Sequence, residues 1–123
     1  MIEVIHNTGN RIDILINGKV HSHDMKLALD TLIEESENIE NGVMVYRIVD
    51  FKFPSLAAMA VEFSRMPKLL RVMKKFTHIA VLTDKKWLKK ASELEGKLFP
   101  YLEIKAFDFN DIEEAEMWLE AAA

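Results

Sequence analysis

The chain has 123 residues, half of them hydrophobic and 29% charged, with a net charge of −4. That length supports one globular domain over 1–123 with a core that needs no covalent staples. The absence of cysteine excludes disulfides, iron–sulfur clusters, thiolate zinc sites and cysteine nucleophiles, and the acidic balance gives the molecule as a whole no attraction to nucleic acid.

The N-terminus, Met1-Ile2-Glu3-Val4-Ile5-His6, has no basic segment ahead of an apolar one, so no signal peptide is expected. No stretch approaches the roughly 18 apolar residues that span a bilayer. A cytoplasmic location without a transmembrane segment is the expectation.

Residues 2–6 are apolar and β-branched, and Thr8-Gly9-Asn10 reads as a hairpin turn into a second strand over 11–16. In that strand Ile12, Ile14 and Ile16 share one face. Ser22 is the expected cap of a helix running to about Asn38, with Asp24 in its first turn and Met25, Ala28, Leu29, Leu32 and Ile33 inward. Residues 43–49 are almost all apolar, as in a strand covered on both faces. Ser55 caps the next helix, and Pro67 must kink it or start a new one.

The segment 78–83 predicts another buried strand. Asp84 is then the expected cap of a helix with Trp87, Leu88, Ala91, Leu94 and Leu98 inward, weakened at Gly96 and ended by Pro100. A last strand is expected over 101–107, with Leu102, Ile104 and Ala106 inward. Asn110 to Glu113 has the spacing of a capping box. The helix after it points Ile112, Ala115, Trp118 and Leu119 inward and frays at Ala121 to Ala123. The fold class is therefore α/β: an opening β-hairpin, then alternating β-α units that make a mostly parallel five-stranded sheet flanked by helices.

No sequence signature of catalysis is present: no glycine-rich phosphate loop, no Gly-x-Ser-x-Gly and no paired acids of defined spacing. Asp24, Asp50 and Asp84 fall near element ends, but three carboxylates are not a mechanism. His21, His23 and Asp24 are the densest set of metal-ligand types. On an extended segment His21 and His23 share a side, yet no third or fourth ligand stands out, so neither a metal nor a cofactor is expected. His78 reads as a structural histidine, and His6 has no evident partner.

Charge is distributed unevenly. Between residues 65 and 90 there are nine basic residues and a single acid, Asp84, which leaves −12 on the rest of the chain. Arg65, Lys68, Arg71, Lys74 and Lys75 lie on a basic amphipathic stretch that suits a partner-binding surface, although a solvated helix face looks the same. Opposite faces of two copies could also pair into a salt-sensitive homodimer. Few aromatic residues interleave with these cations, so nucleic acid is not an expected partner.

Four segments carry a resemblance: Ile16 to Met25, Tyr46 to Phe51, His78 to Trp87, and Ile104 to Leu119 with its Glu114-Ala115-x-x-Trp118-Leu119 ending. Together they resemble the STAS-like family of small bacterial proteins that share the fold of the anti-sigma factor antagonists, in the uncharacterised branch grouped with Sec14-like domains. The resemblance implies a β-α superhelix and a non-enzymatic regulatory domain that works through a protein partner. It also implies that a serine at the start of the helix after the central strand can be phosphorylated. Ser55 stands there, but without the Asp-Ser-x-Gly context, so the plain helix cap is the favoured reading. An alternative function is a carrier of a lipid or other apolar small molecule. Its cavity would lie under residues 59–73, lined by Met59, Phe63, Met66, Leu69, Leu70 and Met73, although such residues also make ordinary cores.

Overall fold

The computed structural model describes residues 1–7, 9–97 and 99–122, without the side chains of 95 and 96. Thr8 of the expected hairpin turn, the inward position expected for Leu98, and Ala123 of the fraying tail lie outside the described residues.

Two strands open the chain, β1 (Ile2–Asn7) and β2 (Arg11–Asn17), followed by α1 (Ser22–Glu35) and β3 (Gly42–Val49). Next come α2 (Leu56–Ser64), α3 (Met66–Met73), β4 (Phe76–Leu82), α4 (Lys86–Gly96) and β5 (Glu103–Phe107). A 3-10 turn over 109–111 leads into α5 (Ile112–Ala122). The five strands lie side by side in chain order. β1 and β2 are antiparallel, and every later neighbour is parallel.

Because each crossover advances by one strand with the same hand, the connecting helices gather on one face of the sheet. The side-chain rows show this. Val4, Ile14, Tyr46, Val81 and Ala106 are aligned across the five strands, beside a second row of Ile12, Met44, Ile79 and Ile104. These rows form the main core with Leu32 and Val72 from the helices. α5, after the last strand, packs on the opposite face. There Ala115 and Leu119 pack on Val45, Ala80, Leu82 and Phe107. Arg11 pins this helix to the sheet, donating to both oxygens of Glu116 at 2.5 and 2.7 Å and to Asp13 at 2.8 and 3.2 Å.

Several local expectations are corrected. Ser22 is the first helical residue of α1, and the cap position falls on His21, whose side chain makes no capping bond. α4 begins at Lys86, two residues past Asp84, and the turn before it is held by the Thr83 Oγ1, which accepts from the Lys85 N–H at 3.2 Å. Asn110 lies inside the 3-10 turn that Asp108 precedes, so it is not the cap of α5. Trp87, Ala91 and Leu94 of α4 are exposed rather than buried. β5 is shorter than expected, and Phe107 is buried on the face opposite Ile104. β4 starts earlier, at Phe76, a completely buried residue. His6 has partners after all: its Nδ1 lies 2.9 Å from Glu35 and its Nε2 3.0 Å from the Gly9 carbonyl.

Gly42 shows how tightly the base of the sheet is packed. A Cβ there would lie 2.4 Å from Ile39 Cγ2 and 2.8 Å from the Asn10 carbonyl oxygen.

Candidate functional site

Pro67 sits in the first turn of α3, where its missing N–H is harmless. It divides the apolar run after Ser55 into two helices joined at Arg65, whose φ of −102° and ψ of 4° leave the helical region. Ser55 caps α2, its Oγ accepting from the Ala58 N–H at 3.1 Å. α2 packs on α1 through Ala58, and α3 packs on α1 and α2, while α4 packs mainly on β5. Among the described residues no comparable packing joins α3 to α4.

The sheet, α1, α3 and α4 surround a cavity of about 540 Å³. Its floor includes Ile14, Tyr46, Ile48, Ile79, Val81 and Ile104 of the sheet. α3 contributes Met66, Leu69, Leu70 and Met73 to its walls, and α4 contributes Leu88, Ala91 and Ser92. The loop after β3 also borders the cavity. Asp50 takes a φ of 48° there, and the chain turns so that Phe51, Lys52 and Pro54 border the cavity. Phe51 meets Phe53 and Trp87 edge-on at 5.3 and 5.4 Å, and Phe53 stacks on Trp87 at 5.9 Å. This aromatic cluster ties the loop to the start of α4.

Of the six residues expected to line a cavity, the structure thus brings Met66, Leu69, Leu70 and Met73 to it. Met59 and Phe63 are a correction. They lie on the outer side of α2, 40% and 72% exposed, because the face of α2 that packs inward is the one carrying Ala58. With Leu56 at 85% exposure they leave α2 with an apolar outer surface. Leu88 and Ala91 of α4 follow the helical spacing read from the sequence, but the aromatic cluster and the 51–54 loop have no periodic signal there. Only the closeness of Phe51 and Phe53 in the chain hinted at them.

The five basic residues of the expected interaction surface do not act alike. Arg65 is spent on Asp30 of α1, with Nε to Oδ1 at 2.8 Å. Lys75 donates to the Glu37 carbonyl at 3.0 Å. Lys68, Arg71 and Lys74 make no salt bridge among the described residues. Lys89 pairs with Asp108. Acidic and basic segments therefore meet partly within one chain.

Hydrogen bonding to Arg65 holds the Asp30 carboxyl below the usual aspartate range, and Arg11 does the same to Glu116. His78, half-buried on β4, contacts Thr77 at 2.9 Å, Glu103 at 3.3 Å and the Trp118 ring at 5.2 Å. His23 is helical, so it does not share an extended segment with His21. Among the described residues no three His, Asp or Glu side chains converge as metal ligands, and no helix is long and apolar enough to cross a membrane.

No curated protein matches the sequence. Similar solved structures include an uncharacterized DUF3478-family protein with a SpoIIAA-like fold from Shewanella loihica PV-4. It has a TM-score of 0.74 at 19% identity, covering 97% of this chain and 92% of that one. The Bacillus cell fate determinant SpoIIAA in its phosphorylated form gives a TM-score of 0.54 at 15% identity, covering 96% and 99%. These similarities are of fold. The model of the SpoIIAA-like family matches residues 11–120, nearly the whole of the superhelix and its closing helix, and the chain belongs to that family.

Proposed function

We propose that the chain is a non-enzymatic regulatory domain that acts by binding, and that an apolar small molecule occupies the space between the sheet, α3 and α4. The cavity carries this reading. Its volume of about 540 Å³ falls in the range of roughly 300–1,000 Å³ usual for ligand sites. The cavity is partly open, so water fills it when no ligand is bound, and water among isoleucine, leucine and methionine side chains is a poor filling. An apolar molecule that displaces it gains about 0.8 kcal/mol per buried methylene.

Dodecanol added at about a hundred times its Kd should stabilise the protein by about 2.7 kcal/mol, a rise in Tm of roughly 10 °C. Native mass spectrometry of the freshly purified protein should show a bound adduct. The absence of both an adduct and a Tm rise with any alkyl ligand would sink this reading.

A second reading, contact with a protein partner, is favoured by the outer surface of α2. Leu56, Met59 and Phe63 are exposed on α2, Arg71 is exposed on the following helix α3, and an apolar surface near charge suits a binding surface. Pull-down at low salt with the chain and with Phe63→Glu tests it. Capture that ignores the substitution counts against this surface. A homodimer built from opposite charges should dissociate as salt rises, and sedimentation showing a monomer at every ionic strength rejects it.

A further inference from the structure

We infer that the ligand is an amphiphile with an anionic end, an alkyl carboxylate whose tail fills the cavity and whose carboxylate stays at the mouth beside Lys52. This rests on the cavity reading above and adds the chemistry of the ligand's head.

Among the described lining residues only Tyr46, Lys52, Glu62 and Ser92 bring polar side chains. Tyr46 and Glu62 are already engaged within the protein. Lys52 and Ser92 make no hydrogen bond or salt bridge with any described residue. Lys52 is exposed on the loop that borders the cavity, so its ammonium is wet and available while its stem borders apolar surface.

α3 and α4, which both line the cavity, belong to the basic segment. Among its lysines and arginines only Arg65 and Lys89 form salt bridges, which leaves Arg71 on α3, Lys74 just after it, and Lys86 and Lys90 on α4 without an ion pair among the described residues. Their field favours a negative group at the opening. A carboxylate is too costly to desolvate among the isoleucines of the floor, so it remains at the rim. A cationic head would meet like charge, and a neutral one would gain little from this field.

Calorimetry with the full chain tests the inference, using dodecanoate, dodecyl phosphate, dodecanol and dodecyltrimethylammonium below their micelle concentrations. Dodecanoate should bind about tenfold more tightly than dodecanol, as a charge-assisted contact at a partly wet site allows, with the ammonium compound weakest. That preference should shrink several-fold in Lys52→Gln and in added salt, with dodecanol unmoved.

Equal affinity for dodecanoate and dodecanol overturns the anionic head and leaves the cavity reading standing. Absence of binding by all four overturns both. Dodecyl phosphate bound far above dodecanoate replaces the carboxylate with a phosphate head. Phosphatidylglycerol vesicles retaining the protein equally well in a cavity-filling Leu69→Trp variant, with no dodecanoate preference, would assign the basic rim to a membrane surface and reject the inference.

Discussion

Replacing Ala91 with leucine should stabilise the ligand-free protein, whereas the same change at Ala80 should destabilise it. Ala91 borders the cavity on α4. Ala80 is completely buried on β4, enclosed by Val45, Phe107, Ala115 and Leu119 beneath α5. Leucine adds about three methylene equivalents, worth about 0.8 kcal/mol each when fully buried. At the rim about half of that is realised, and ordering the longer side chain costs about 0.5 kcal/mol, for a net gain of about 0.5–1 kcal/mol. The Tm should rise by about 2–4 °C.

At Ala80 no space exists, and overpacking should cost about 1–3 kcal/mol, a fall of about 4–12 °C. Scanning calorimetry of both variants, stripped of bound molecules, reads the sign directly. Ala91→Leu should also weaken dodecanol binding, since it occupies the same volume. The reasoning is refuted if Ala91→Leu lowers Tm as Ala80→Leu does, or if alkyl affinity is unchanged.

Gly42→Ala should cost about 3 kcal/mol in urea denaturation, because its Cβ would meet Ile39 and a backbone oxygen that cannot swing aside; a loss under about 1 kcal/mol would show that this corner relaxes. Ser55→Ala should cost about 1 kcal/mol and Ser55→Gly only a few tenths, the ordering of a helix cap. Glu116→Gln should lower stability by about 0.5–1 kcal/mol at neutral pH. Because Arg11 depresses the folded-state pKa of Glu116, this contribution is present above the unfolded value near 4.5 and is lost as pH falls through the folded one. The gap between wild type and variant should therefore close in acid, and a constant gap from pH 7 to about pH 3 contradicts the assignment.

Much of the fold was legible from local pattern. The alternation of Ile12, Ile14 and Ile16 marks one face of a strand, and the spacing of Met25, Ala28, Leu29 and Leu32 marks the inner stripe of α1. Pro67 announced the break between α2 and α3, and the order of elements implied the parallel sheet. Caps were read less well. Ser22, Asp84 and Asn110 all have suitable side chains, yet helix starts depend on how the preceding turn packs, as the buried Thr83 before α4 shows.

The candidate site was only partly readable. Its α3 wall follows from helical spacing, so Met66, Leu69, Leu70 and Met73 were nameable in advance. Met59 and Phe63 obey the same spacing but belong to a separate helix rotated outward at Arg65. Trp87 and Leu94 read as core because they are large and apolar, and the fold instead leaves them at the surface.

By itself the sequence determined the α/β class, the exclusion of cysteine chemistry and the crowding of positive charge between residues 65 and 90. Tertiary structure alone decided that α3 and α4 stand apart over the sheet, that Arg65 and Lys89 are spent within the chain, and that Lys52 borders the opening. The reason is physical. Periodicity records which face of an element avoids water, but whether that face meets another side chain or an empty volume depends on how far apart the elements settle.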